Sequence, residues 1–133
     1  MNKIHNHRIA VTKLFEFEAG HHLKDYKGKC ENPHGHSYKL EVTVKGRPDE
    51  RGLVIDFSDL KSIVKEHVID KLDHKYLNDL FDFNTSCENM IWITWQEIEK
   101  HLPEGITLEK VVLWETSTSY VTLTREDAEE NEG

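Results

Sequence analysis

Long apolar runs are missing from this 133-residue chain. No segment can cross a bilayer as a helix. The start, Met1-Asn2-Lys3-Ile4-His5-Asn6-His7, lacks the apolar stretch of a secretory leader, so a cytoplasmic protein with no membrane partner is expected. Cysteine is scarce: Cys30 and Cys87 can form one bridge at most, which excludes a disulfide-stapled scaffold, and both are read as reduced thiols. Basic clusters are absent as well. With 17 Lys and Arg against 25 Asp and Glu the net charge is −8, a poor match for nucleic acid. No repeat and no domain linker interrupts the chain, which predicts a single domain over residues 1–124 and a short acidic tail, 125–133, expected to fray. An apolar fraction of 37 % and a charged fraction of 32 % suit a folded globular protein rather than a disordered one.

What the chain does have is histidine, nine in all. His5, His7, His67 and His101 read as scattered surface residues. Cys30-Glu31-Asn32-Pro33-His34-Gly35-His36 does not. It sets a thiol four residues before two imidazoles separated by one glycine. The alternation that follows, through Tyr38, Leu40, Val42 and Val44, is that of a half-buried strand. Side chains i and i+2 of a strand share a face, so His34 and His36 can reach one metal ion from the inward side. Zinc accepts imidazole nitrogens, and a catalytic site needs three protein ligands and an open position. His21 and His22 lie upstream as candidates for the third.

The coarse pattern is strand, strand, helix, helix, strand, strand. Strands are predicted at Arg8 to Phe17, His36 to Lys45, Thr107 to Glu115 and about Ser119 to Thr124. Ser58 is the expected N-cap of a first helix bearing Leu60, Ile63, Val64 and Val68 on one face. A second helix begins at Thr85 or Ser86, where Thr85 and Glu88 match a capping box. It carries Ile91, Trp95, Ile98 and Leu102, and stops at Pro103 and Gly105. Segregated strands and helices predict an α+β fold, a four-stranded antiparallel sheet with both helices on one face. Its two open edges invite self-association.

These residues resemble the 6-pyruvoyl-tetrahydropterin synthase family, and within it the 6-carboxy-5,6,7,8-tetrahydropterin synthase branch of the queuosine pathway. The resemblance runs from about Val11 to Val121. Phe17-Glu18-Ala19-Gly20-His21-His22-Leu23 is similar to the family's Phe-x-Ala-x-His-x-Leu and selects His21 over His22. Cys30, His34 and His36 match the Cys-x3-His-Gly-His spacing of the carboxy branch; pyruvoyl-type members usually have two more residues there. Val54-Ile55-Asp56-Phe57 with Leu60-Lys61, Leu72-Asp73-His74-Lys75-Tyr76-Leu77-Asn78, and Glu115-Thr116 are further matches. Asn84-Thr85-Ser86-Cys87-Glu88-Asn89 departs from the family's pattern. It lacks the usual Pro, has Ser86 where a pterin-contacting Thr is common, and carries at Cys87 a second thiol able to confuse thiol labelling.

The resemblance implies the tunnelling fold, with sheets joined into a barrel, a hexameric homo-oligomer and active sites at subunit interfaces. It implies zinc on His21, His34 and His36, and a pterin triphosphate substrate, 7,8-dihydroneopterin triphosphate. The expected products are 6-carboxy-5,6,7,8-tetrahydropterin, triphosphate and acetaldehyde. A zinc ion polarises the substrate's side-chain oxygens and acidifies the adjacent C–H. Cys30 is then the expected base, since a thiolate is favoured beside a cation; a buried small hydrophobe or a fourth zinc ligand is the bland alternative. His74 is the acid–base partner, though without the family it reads as an ordinary helix-end residue. Asp73 orients a histidine or caps the helix. Glu115 anchors the pterin N–H fork or relays protons, or else pairs with a nearby lysine. Ser86 and Thr116 are expected substrate contacts. Lys24, Lys27 and Lys29 screen the phosphates or form a solvated loop face. A pyruvoyl-type synthase and a non-catalytic zinc-stabilised binding domain are the competing readings.

Overall fold

A computed structural model describes residues 6–25, 28 and 31–130 of the chain. Cys30, Lys27 and Lys29 lie outside the described residues. Two long strands form the spine, β1 (Ile9–His21) and β2 (His34–Gly46), paired antiparallel from Ile9 opposite Gly46 to His21 opposite His34. β1 runs past its predicted end and β2 begins before its predicted start, and the added residues carry His21 and His34. Ala19 and His21 keep the inward parity of Phe17, so alternation never breaks. Gly20 lets the ladder run on to His21, because a Cβ there would come within 3.2 Å of the His34 carbonyl and of the Tyr76 ring.

After β2, helix α1 (Phe57–Val64) runs on through a π-helical stretch (Lys65–Ile69) into a last turn, α2 (Asp70–Leu72). The cap is Asp56 and not Ser58: its Oδ1 accepts from both the amide and the hydroxyl of Ser58, each at 2.8 Å. The chain then turns through His74 at φ 61° into β3 (Lys75–Tyr76) and α3 (Leu77–Leu80). Helix α4 (Cys87–Glu99) follows, capped by Ser86, whose Oγ accepts from the Asn89 amide. The expected Thr85–Glu88 box does not form, because Thr85 is buried and its hydroxyl donates to Asn78 Oδ1 at 3.1 Å. Strands β4 (Thr107–Trp114) and β5 (Tyr120–Thr124) complete a sheet of order β3-β1-β2-β4-β5.

The α+β class and the one-sided helical layer are as read from the sequence, but the sheet has five strands instead of four. The extra one, β3, is two residues long and parallel to β1. Period-two alternation cannot register a strand that short. Arg125–Glu130, expected to fray, is helix α5 with Ala128 buried. Arg125 anchors it, reaching Glu99 at 2.6 Å, Glu109 at 3.2 Å and Glu129 at 2.9 Å. Glu99 and Glu109 lie on other elements, so a local reading of an acidic tail misses them. The core joins Tyr38, Leu40, Val42 and Val44 of β2 to Leu60 and Val64 of α1, Trp95 and Ile98 of α4, and Leu108, Val111 and Leu113 of β4. Each fully buried aliphatic side chain contributes about 1.5–3 kcal/mol. Among the described residues no helix is long and apolar enough to cross a membrane.

Candidate metal centre

The inward face of β1 and β2 changes from hydrocarbon to imidazole at one end of the sheet. His21 ends β1 opposite His34, and His36 follows two residues on along β2. One ligand atom from each of the three lies within 4.8 Å of the others. Ring centroids are 4.5 Å apart for His21 and His34, 5.0 Å for His21 and His36, and 4.8 Å for His34 and His36.

The backbone fixes which nitrogens face inward. His21 Nδ1 donates to the Thr85 carbonyl at 2.8 Å and His34 Nδ1 to the Asn32 carbonyl at 2.7 Å, which leaves Nε2 of each as the lone-pair nitrogen. His36 Nε2 is buried with no hydrogen-bond partner among the described residues. Burial pushes the His21 imidazole below its ordinary value against the pull of the Thr85 carbonyl, and pushes His36 down against the pull of Glu115. Both rings are therefore neutral at pH 7, the form that binds metal. A buried orphan nitrogen beside two oriented imidazoles fits a divalent cation of the zinc type, for which imidazole is a preferred donor.

Glu115 follows β4 directly and turns into the same space. Its two oxygens lie 3.9 Å from His21 Nε2 and 3.9 Å from His36 Nε2. Among the described residues Glu115 makes no lysine pair. Cys87 opens α4 nearby, 7 % exposed, with its thiol directed at the Leu113 carbonyl. Burial, then the charges of Glu115 and Glu88, push that thiol up to about 12. A thiol so protonated is a poor nucleophile, so Cys87 does not confuse labelling. Iodoacetamide applied to the folded protein at pH 8 should leave Cys87 unmodified by peptide mass spectrometry, and alkylation should become complete in denaturant. Modification of native Cys87 at the unfolded rate would contradict its placement.

Asp73 and His74 sit at another edge of the same strand. Asp73 Oδ1 accepts from the Glu18 amide at 2.9 Å and lies 3.0 Å from His74 Nδ1. The His74 amide in turn donates to the Glu18 carbonyl at 2.6 Å. The Glu18 amide, and then His74, hold the Asp73 carboxyl below the usual carboxylate range. Asp73 therefore orients His74 and stitches the end of α2 to β1. His74 is exposed and shares with His36, Gly35 and Tyr76 the lining of an open groove of about 450 Å³. The histidine cluster and Glu115 are thus brought together, and the Asp73–His74 pair borders the groove that His36 also lines.

Of the other predicted contacts, Ser86 Oγ is engaged as the α4 cap and exposed Thr116 Oγ1 accepts from the Thr118 amide at 3.2 Å. Lys24 Nζ donates to the Asp82 carbonyl at 3.0 Å. Sequence reasoning missed Thr85 as the residue that orients His21, and Asn78, which holds the His22 amide and carbonyl through its side chain. Both lie inside motifs quoted above, but Thr85 acts on His21 through its backbone carbonyl, which leaves no mark on residue type, and Asn78 acts on backbone 56 residues away. Tyr38, in contact with two of the histidine rings, was read as core alone.

The family model for 6-pyruvoyl tetrahydropterin synthase matches residues 10–126. The chain is 34 % identical to the 6-carboxy-5,6,7,8-tetrahydropterin synthase of Haemophilus influenzae, over 83 % of this chain and 94 % of that protein. It is 40 % identical to the dihydroneopterin monophosphate aldolase of Pyrococcus furiosus, over 74 % of this chain and 82 % of that one. Among solved structures, the 6-pyruvoyl tetrahydropterin synthase of Caenorhabditis elegans aligns with a TM-score of 0.79 at 25 % identity, covering 92 % of this chain and 99 % of that one. The matched span includes the three clustered histidines, the Asp73–His74 pair and Glu115.

Proposed function

The chain belongs to the 6-pyruvoyl tetrahydropterin synthase family, and on that premise we propose that it is a zinc-dependent carbon–carbon lyase. It converts 7,8-dihydroneopterin triphosphate to 6-carboxy-5,6,7,8-tetrahydropterin and releases triphosphate and acetaldehyde. In this reading it is a cytoplasmic homo-oligomer, a hexamer by resemblance, serving queuosine (7-deazaguanine) biosynthesis. The observation that carries the reading is the three-imidazole cluster whose His36 Nε2 has no hydrogen-bond partner among the described residues. The carboxy branch is favoured by the Cys30-x3-His34-Gly35-His36 spacing and by similarity to the Haemophilus protein across nearly its full length.

The residues divide the work. His21, His34 and His36 hold the zinc, and the Thr85 and Asn32 carbonyls keep two of the rings in the metal-binding tautomer. Bound zinc supplies Lewis-acid polarisation of the substrate's side-chain oxygens. Cys30 takes the carbon-bound proton as thiolate. His74, oriented by Asp73, exchanges protons with the side chain. Glu115 accepts the N–H fork of the pterin ring in bidentate fashion, and the Ser86 and Thr116 hydroxyls flank it. An exposed His74 can act as an acid–base group in a water-excluded site only if a second copy of the chain covers it, which agrees with the expected interface site.

The test is a product assay on the zinc-loaded protein with 7,8-dihydroneopterin triphosphate. Acetaldehyde, read by NADH oxidation with alcohol dehydrogenase, should appear in step with pterin consumption. Triphosphate release without acetaldehyde would move the protein to the pyruvoyl type. Aldehyde release only from dihydroneopterin monophosphate would align it with the activity named for the Pyrococcus relative. No turnover of either substrate would leave a zinc-stabilised binding domain.

A further inference from the structure

Among the described residues, two buried side-chain polar atoms have no hydrogen-bond partner, His36 Nε2 and Tyr38 Oη. A metal ion accounts for the first. The second is two residues further along the same face of β2. Tyr38 is 1 % exposed and lies flat on Phe17, ring centroids 4.9 Å apart at 7°. Its ring meets His36 and His21 edge-on, at 5.6 Å and 6.4 Å. The β2–β4 register, Leu40 opposite Leu113 and Lys39 opposite Trp114, carried on by one residue sets Tyr38 across from Glu115, and a tyrosine phenol carries its proton at neutral pH. It is a donor without an acceptor. An unsatisfied buried donor is costly, and phenylalanine would fill the same place without that cost.

The neighbours narrow its use. The Cys87 thiol already has an acceptor in the Leu113 carbonyl. Among the described residues the Glu115 carboxylate has no donor: 3.9 Å to each of two imidazole nitrogens is longer than a hydrogen bond. Once those nitrogens hold a metal, neither can serve Glu115. The carboxylate and the phenol are then the unmatched pair of the site.

We propose that Tyr38 is a positioning residue: its O–H donates to the Glu115 carboxylate when the metal centre is loaded and aims the remaining acceptor lone pairs at the pterin N–H groups. This rests on the reading of Glu115 as the pterin anchor. It assigns Tyr38 a part in substrate affinity and none in holding metal. Donation from a neutral hydroxyl to a charged acceptor also fixes a side chain that the rest of the site leaves unrestrained.

The experiment is a double-mutant cycle in a Cys30→Ala background, which suppresses turnover. Zinc-loaded parent, Tyr38→Phe, Glu115→Ala and the double variant are titrated calorimetrically with 7,8-dihydroneopterin. Zinc content and the unfolding temperature of the metal-free proteins are measured alongside. Tyr38→Phe should keep its zinc and should unfold, metal-free, at the parent's temperature or above it, since the lost hydroxyl had no partner. Its pterin affinity should fall about tenfold, and adding Tyr38→Phe to Glu115→Ala should change nothing further. Unchanged affinity in Tyr38→Phe beside a clear loss in Glu115→Ala would overturn the Tyr38 assignment and spare the anchor. Equal losses with and without Glu115 would overturn the pairing, and a lowered unfolding temperature would make the hydroxyl structural. Unchanged affinity in Glu115→Ala would remove the anchor reading itself, and the Tyr38 inference with it.

Discussion

His36→Ala should empty the metal centre and abolish turnover while the protein stays folded. Of the three histidines, His36 gives the cleanest test. His21 is 1 % exposed and satisfies the Thr85 carbonyl, so its loss also opens a cavity and strands a buried acceptor. His34 holds the Asn32 carbonyl. His36 Nε2 has no hydrogen-bond partner among the described residues, so what its removal costs is metal binding. Zinc per chain, by atomic emission, should fall from about one to near zero after dialysis, because two imidazoles do not make a competent zinc site. Lewis-acid stabilisation is worth several kcal/mol, so turnover should drop by roughly a thousandfold or more. Far-UV circular dichroism should be unchanged, since the apolar core beneath owes nothing to the metal. Full zinc with normal turnover would sink the assignment. Loss of the fold along with the zinc would support the zinc-stabilised binding domain instead, as would unfolding of the parent by a chelator.

Much of this centre was legible in the chain because strand parity is a rigid rule. Once Tyr38, Leu40, Val42 and Val44 are taken as inward, His34 and His36 have nowhere else to point, and β1 brings His21 opposite His34 by register. Helix faces were legible for the same reason, by period. What was hidden has one physical character, dependence on a partner far along the chain. β3 exists because Asp73 and His74 bond to the backbone of Glu18, 55 residues away in the Asp73 case. The capping box failed because Asn78 takes the Thr85 hydroxyl. Helix α5 is held by an arginine whose partners Glu99 and Glu109 sit on other elements. Motif likeness picked out Asp73, His74 and Glu115 without their geometry. The geometry adds that Asp73 orients His74 and that Glu115 shares the space of His21 and His36.

Cys30→Ala should separate proton transfer from metal binding. The Cys30 thiol stands four residues before His34 in sequence, and the chemistry asks for a base beside a cation, the setting that favours a thiolate. If the thiolate accepts the carbon-bound proton, its removal should lower turnover by about 10²–10⁴-fold, the usual contribution of an acid–base group. Zinc content and 7,8-dihydroneopterin affinity should stay at parental values, since three imidazoles and Glu115 are untouched. Cys87→Ala is the matched control: a buried thiol pushed up to about 12 cannot supply a thiolate near neutral pH, so that variant should keep its activity. The pH profile sharpens the comparison. Parental kcat/KM should show an ascending limb as Cys30 ionises, and the residual activity of Cys30→Ala should lack that limb. Zinc leaving with the thiol would instead make Cys30 a fourth ligand that closes the site against substrate, and the task of proton abstraction would pass to His74.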